Sequence, residues 1–339
     1  MIFYLFFILF SYLFCKIIIE FSIKYNFAVD SNFDKPQSIH SKQTPRVLGL
    51  SFFIMYILTH LFFELDPLIR TFIFSALFVA SIGIIEDFNL NINPVLRFFI
   101  QILSLIFIFF LSPDINALNS VSFLPSYFEN DYFKLIFSIF AIITILNSFN
   151  FMDGLNGFVI IYSIVISFFL IISINDKDLI ILFFLLILNL LVILFFNFPQ
   201  SKAFLGDFGS YFLGLLFSIV FIYIDNNQII EKNLSSSWFL ANLLAYPAFE
   251  IFSTVTRRLL LKKSPFYPDN LHLHSILNKT ITIKFNIDKN YISTIILIII
   301  IVINLLPLFF MKNSTFMYLF FFQFLVFYFI RYLLINYNK

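Results

Sequence analysis

Apolar stretches of about 17–25 residues recur along the whole chain, and that is the length a helix needs to cross a hydrocarbon core. Polar and proline-bearing interruptions cut the sequence into about eleven of them: 1–24, 47–63, 68–85, 97–112, 133–149, 157–174, 179–196, 208–224, 238–260, 291–310 and 314–336. In lipid every backbone N–H and C=O must find its partner inside the protein, which leaves helices and closed barrels. The stretches lack period-two alternation, so a barrel is excluded. Charged residues make up only 12% of the 339, about half the share of a soluble globular protein. The expectation is an all-α polytopic membrane protein with 10–11 transmembrane helices, a single domain over residues 1–339. The one cysteine, Cys15, lies in the first apolar run, so neither a disulfide frame nor a thiolate metal site is expected. The first 24 residues carry no basic n-region and no small-residue cleavage site, and read as a retained span.

Alternation of the spans can be tested against charge. With the N-terminus outside, the inner loops and flanks collect fifteen Lys and Arg, among them Lys42, Arg46, Arg97, Lys202, Arg257 and Arg258, against five outside. That is a positive-inside bias. The same assignment brings every chemically loaded segment to the cytoplasmic face, in loops at about 25–46, 86–96, 147–156, 197–207 and 261–290. Five polar segments on one face predict one site at the membrane–cytosol boundary.

Glu86 and Asp87 end the third span. Adjacent acids repel unless a cation lies between them, so the pair reads as a Mg²⁺ ligand set, as a general base, or as an ordinary acidic helix end. Asp207 sits in GDFGS, flanked by Gly206 and Gly209. Glycine lets backbone approach a phosphate, and a helix start favours an anion; a simple capping aspartate is the other reading. Asn147, Asn150, Asp153 and Asn156 follow at three-residue steps in NSFNFMDGLNG. On a helix they would make a broad polar stripe, with Gly154 and Gly157 loosening it or admitting a neighbour. Amides there can be interhelical glue, but an aspartate at membrane level is a functional candidate. His272 and His274 in LHLH could ligate a metal, donate to phosphate, or be solvated, and they are too few for a zinc site. His40, Lys42 and Arg46 add cationic donors in the first inner loop. Carboxylates hold Mg²⁺, and Mg²⁺ with basic residues neutralises a diphosphate. The residues therefore point to Mg²⁺-dependent phosphoryl transfer facing the cytosol, with no nucleic-acid partner.

The order of these motifs resembles the polyprenyl-phosphate N-acetylhexosamine-1-phosphate transferases, which also include phospho-N-acetylmuramoyl-pentapeptide transferase. The resemblance runs from about residue 30 to 280 through H-x3-TPR (His40 to Arg46), G-x2-ED-x6-P-x2-R (Gly83 to Arg97), N-x2-N-x2-DGLNG, GD-x-GS and SPF-x2-D-x2-HLH. It implies transfer of an N-acetylhexosamine 1-phosphate from a UDP-sugar to undecaprenyl phosphate in a bacterial inner membrane, with release of UMP. It also implies Mg²⁺, with Mn²⁺ as substitute, and is compatible with a homodimer. By the same resemblance Asp207 would be the principal metal ligand. Glu86 or Asp87 would help place the metal or take a proton, and Asp153 with Asn147, Asn150 and Asn156 would hold the nucleotide. His272 and His274 would contact phosphate or sugar, with Lys42 and Arg46 near the phosphates.

The sequence departs from the family pattern at Glu86, where an aspartate is common, and at Asn156, where a second acid stands in the DGLDG form. Leu48-Gly49 replaces a glycine pair, and HLHS stops short of the three-histidine run of the pentapeptide branch. The last departure favours a UDP-N-acetylhexosamine as donor. A transporter or flippase would need paired interrupted helices and an inverted repeat; no internal repeat is found, and the polar residues gather at one face. The DG-x2-AR signature of CDP-alcohol phosphotransferases is absent.

Overall fold

The computed structural model describes residues 2–30, 44–88, 90, 92–111, 130–199, 201–230, 236–266, 271–285, 289–305, 308 and 315–337. Lys42 and His40 lie outside them. Fourteen helices are described: α1 (Ile2–Tyr25), α2 (Ser51–Phe62), α3 (Pro67–Ala80), α4 (Ile82–Asp87), α5 (Pro94–Leu111), α6 (Asp131–Met152), α7 (Phe158–Ser173), α8 (Lys177–Asn197), α9 (Gly206–Asn226), α10 (Ser236–Leu243), α11 (Ala245–Leu260), α12 (Leu273–Phe285), α13 (Lys289–Asn304) and α14 (Phe316–Tyr337). Among the described residues six helices are long and apolar enough to cross a membrane, or seven if α10 and α11 count as one span bent by 68°. Four shorter apolar helices, Leu48–Phe62, Pro94–Phe110, Phe158–Ser173 and Thr294–Asn304, complete the eleven apolar stretches. Large apolar side chains such as Phe6, Leu103, Phe110, Phe140, Phe321 and Leu325 face outward. Only a lipid surround makes such a surface stable. The protein is an all-α, multi-pass membrane protein.

Local chemistry sets the helix starts at the end of the bundle away from the polar motifs. Asp66 caps α3 by accepting from Leu68 N at 2.7 Å, with Pro67 in the first turn. Asp176 caps α8 by accepting from the amides of Asp178 and Leu179, and Asn130 caps α6 through Tyr132 N. Each satisfies amides that a helix start leaves without a partner. At the bend between α10 and α11 the Tyr162 hydroxyl donates to Leu243 O at 2.8 Å, replacing a helical bond that the break removes.

Helix α9 is the hub. Almost all of its residues from Phe208 to Ile224 are buried, with α6 along one side and α3 and α4 along another. Its approach to α6 is close because Gly214 has no side chain: a Cβ there would lie 2.8 Å from Leu146 Cα.

Two expectations are corrected. The polar stripe does not run along one helix: α6 ends at Met152, Asp153 is its C-cap, and Gly157 takes a φ of 73° to start α7. The 261–290 segment is not simply loop, since α12 forms there with Leu273, Ile276, Leu277 and Thr280 buried. That i, i+3, i+4, i+7 spacing was readable as an amphipathic helix. The described ends of the first inner loop also pair through their backbone. Val29–Asp30 (β1) pairs antiparallel with Thr44–Pro45 (β2), and the chain from Pro45 to Gly49 then hydrogen-bonds along Phe204 and Leu205.

Candidate active site

The site is built around the first turn of α9. This helix has no capping side chain of its own; Asp87, at the end of α4, supplies it. Asp87 Oδ1 accepts from Asp207 N at 2.8 Å and Oδ2 from Phe208 N at 3.0 Å. Gly206, with a φ of 82°, gives the carboxylate room, because a Cβ there would lie 2.7 Å from Asp87 Oδ2. Gly209 packs on Gly49, close enough that a Cβ on Gly49 would lie 2.6 Å from Gly209 Cα. The glycines of GDFGS thus admit the protein's own carboxylate and a neighbouring backbone, not a phosphate as expected from the sequence. The packing at Leu48-Gly49 is close although the preceding residue is leucine. Asp87→Asn would turn an NH₂ toward one of these amides, and a fall in stability of about 1–3 kcal/mol is expected. A lower midpoint of thermal unfolding in detergent is the readout; wild-type stability would contradict the cap.

Glu86 and Asp87 diverge. Glu86 turns to Arg97 of α5, with Oε1 3.1 Å from Nη1. The same Nη1 lies 3.7 Å from Asp207 Oδ2, and the guanidinium stands over the Tyr211 ring at 5.9 Å. Asp207 remains partly exposed, with a quarter of its side chain accessible. Asp153 faces the same place: burial pushes its carboxyl up to about 7, the Asp207 charge adds to the rise, and Arg46 opposes it. Arg46 is fixed through its backbone, donating from N to Ala28 O at 2.8 Å and bridging to Phe204. Glu86, Asp207, Asp153, Arg46 and Arg97, from five separate segments of the chain, are thereby brought together.

The asparagines of the polar patch bond within the protein. Asn147 Nδ2 donates to Gln101 Oε1 on α5 and to Ile143 O, and Asn150 Nδ2 to Ser210 Oγ on α9. Asn156 is half-buried in the turn after Asp153. That turn is pinned by Asn197, a residue the sequence did not single out, whose Oδ1 accepts from Gly157 N at 2.6 Å.

His272 and His274 are buried, stacked on one another with ring centroids 5.5 Å apart. Their common partner is Glu250 of α11, fully buried and also missed from the sequence. Its carboxylate accepts from Leu273 N and Tyr246 Oη, both at 2.8 Å, and meets His272 Nδ1 at 3.2 Å. The signal that could have found it is the one acid inside the 238–260 span, an intramembrane ionisable group being a functional candidate. Burial holds the His274 imidazole below the usual histidine range, with Glu250 pulling the other way. His274 Nε2 is buried, has no hydrogen-bond partner among the described residues, and faces Gly154, where a Cβ would stand 3.4 Å from it.

Among the described residues no three His, Cys, Asp or Glu side chains converge into a ready-made metal cage. A Mg²⁺ ion commonly takes only one or two carboxylates and completes its shell with water and substrate phosphate. Asp207, a hard oxygen donor left partly open, fits that manner of binding.

The glycosyl transferase family 4 model matches residues 69–225. The chain is 28% identical over 251 residues to an undecaprenyl-phosphate alpha-N-acetylglucosaminyl 1-phosphate transferase of Thermotoga maritima, covering 73% of each chain. It is 27% identical over 248 residues to a probable undecaprenyl-phosphate N-acetylglucosaminyl 1-phosphate transferase of Bacillus subtilis, covering 71% of this chain and 68% of that one. A phospho-N-acetylmuramoyl-pentapeptide-transferase of Streptococcus agalactiae is 27% identical over 209 residues, covering 56% of this chain and 62% of the other. The match residues 69–225 take in Glu86, Asp87, Asp153 and Asp207 but stop short of Glu250 and the histidines.

Proposed function

We propose that the chain belongs to glycosyl transferase family 4, whose model matches residues 69–225, and that it is a phospho-sugar transferase like the relatives it is similar to. It moves an N-acetylhexosamine 1-phosphate from a UDP-sugar to a polyprenyl phosphate, undecaprenyl phosphate being the acceptor named in two of its relatives. The observation that carries this reading is the open Asp207 carboxylate on the first turn of α9, with Arg97 at 3.7 Å and with its charge and that of Arg46 both felt by Asp153. A diphosphate needs a cation and fixed positive charge around it, and this group of residues supplies places for both.

In the proposed reaction an oxygen of the lipid phosphate attacks the sugar-bearing phosphorus. The bond from that phosphorus to the bridging oxygen breaks, and UMP leaves with the bridging oxygen and its electron pair. A phosphate monoester is largely dianionic at neutral pH, so no side chain need remove a proton. Asp207 would hold Mg²⁺, which supplies charge neutralisation at the diphosphate. Arg97 and Arg46 would face the phosphates, and Glu86 would orient Arg97. Asp87 acts by fixing the start of α9. The turn from Asp153 to Gly157 would receive the nucleotide, with Asn147 and Asn150 tying it to α5 and α9.

The test uses sealed inverted membrane vesicles containing the protein and a panel of UDP-sugars, UDP-N-acetylglucosamine and UDP-N-acetylmuramoyl-pentapeptide among them. UMP release that needs added Mg²⁺ and polyprenyl phosphate and stops with EDTA is expected from an N-acetylhexosamine donor. Right-side-out vesicles should release UMP only after permeabilisation, because the donor does not cross the bilayer and the site is proposed to face the cytoplasm. UMP from intact right-side-out vesicles would overturn that orientation. No lipid-dependent UMP from any donor, with folded protein, would overturn the transferase reading.

A further inference from the structure

Glu250 has no place in the chemistry above, and neither does the way the two histidines are held. The carboxylate lies on the bent α10–α11 pair, 0% exposed, and each of its oxygens is engaged. Oε1 takes two donors, Leu273 N–H and the Tyr246 hydroxyl. Oε2 faces His272 Nδ1 at 3.2 Å. A carboxylate oxygen accepts, so His272 Nδ1 must carry the hydrogen. The Tyr246 proton is committed to Glu250, so the Tyr246 oxygen is left to accept at its 3.1 Å contact with His274 Nδ1. That places the second hydrogen on His274 Nδ1 as well. In a neutral imidazole the other nitrogen is then a bare acceptor. For His274 that nitrogen is the buried Nε2, without a partner among the described residues and aimed at Gly154, in the turn that follows Asp153.

We propose that Glu250 is a positioning residue that fixes both histidines in the Nδ1–H tautomer, His272 directly and His274 through Tyr246, so that His274 presents Nε2 as a hydrogen-bond acceptor to the substrate. A phosphate oxygen is itself an acceptor and does not suit that nitrogen. Its partner is an N–H or O–H group of the nucleotide sugar. The proposal rests on the transferase reading for the identity of the substrate, but the tautomers themselves do not depend on it.

Glu250→Gln separates a positioning role from a structural one. The amide oxygen still accepts from Leu273 N–H and Tyr246 O–H, so α11 and α12 stay joined. The amide NH₂ now faces His272 Nδ1 and can only donate, which moves the His272 hydrogen to Nε2. His274 Nδ1 faces Tyr246 Oη at 3.1 Å and Glu250 Oε1 at 3.6 Å; the amide oxygen keeps that place, so His274 stays as it was and serves as the internal control. Tyr246→Phe should do the reverse, releasing His274 and leaving His272.

The readout is nitrogen NMR of protein with ¹⁵N-labelled histidine, which is tractable because the chain has only four histidines. His272→Asn and His274→Asn assign the two signals. Wild-type protein is expected to carry both hydrogens on Nδ1, and Glu250→Gln to move one of them. In the transferase assay Tyr246→Phe, which releases the substrate-facing His274, is expected to raise KM for the nucleotide sugar about tenfold or more, in the range seen when an outer partner of a histidine is lost, with a smaller change in kcat, while Glu250→Gln, which leaves His274 as it was, changes KM less. An Nε2–H tautomer at both histidines in the wild type would overturn the proposal. So would unchanged tautomers in Glu250→Gln. The NMR result stands whether or not UMP is released, so failure of the transferase reading and failure of the tautomer assignment are told apart.

Discussion

Asp207→Asn is expected to cut lipid-dependent UMP release by about 10³-fold while leaving the protein folded. Removal of one preorganised electrostatic partner at a reacting phosphate or carbonyl costs about 10²–10³-fold, and here the lost group is also the proposed metal ligand. The side chain contributes little to folding. Among the described residues its ion pair is the 3.7 Å approach of Arg97, and a quarter of it is exposed. The backbone amide of residue 207, which Asp87 caps, survives the substitution. Thermal unfolding in detergent should therefore match the wild type, and Mg²⁺ titration should no longer restore turnover. Activity within tenfold of the wild type would remove Asp207 from the metal site.

Gly83→Ala is expected to act on the opposite quantity. A Cβ at residue 83 would stand 2.4 Å from Phe208 N and 2.7 Å from Asp207 C. These are backbone atoms that cannot swing aside, so α4 must move away from α9 as a unit. Overpacking of this kind costs about 1–3 kcal/mol, and the displacement would also carry Glu86 from Arg97 and Asp87 from its two amides. A lowered unfolding midpoint together with lost transfer is the expected result. Gly154→Ala is the control for stability, since its Cβ would meet the edge of the His274 ring at 3.4 Å or more and no backbone atom among the described residues within 4 Å. If Gly83→Ala melts like the wild type, the contact between α4 and α9 is looser than described.

The spans were legible because lipid imposes one length and one class of helix on all of them. Glu86, Asp153 and Asp207 were legible as polar interruptions of an apolar pattern. What each glycine does was not, since that depends on what faces it: Gly206 and Gly209 read equally well as a phosphate cradle until Asp87 and Gly49 are seen against them. Glu250 was missed for a related reason. It stands in α11 as the one acid of its span, and the histidine it holds is 22 residues further on, just ahead of α12. The polar stripe failed because helical spacing was carried past Met152, where Asp153 and Gly157 end one helix and begin the next. The bend at Leu244 was hidden inside a stretch long enough to read as one straight span.

The cap on α9 has a consequence in time as well as in space. Asp87 and the amide it holds on Asp207 are 120 residues apart, and the second amide is 121 away. A ribosome that has released Asp87 into the membrane must add the whole of α5, α6, α7 and α8 before the amides that complete the bond exist. Until then the carboxylate is an unmatched charge at the end of a span and the first turn of α9 is unmade. The site therefore cannot exist in any partial chain that ends before Phe208, and a membrane holding such fragments holds no partly formed transferase.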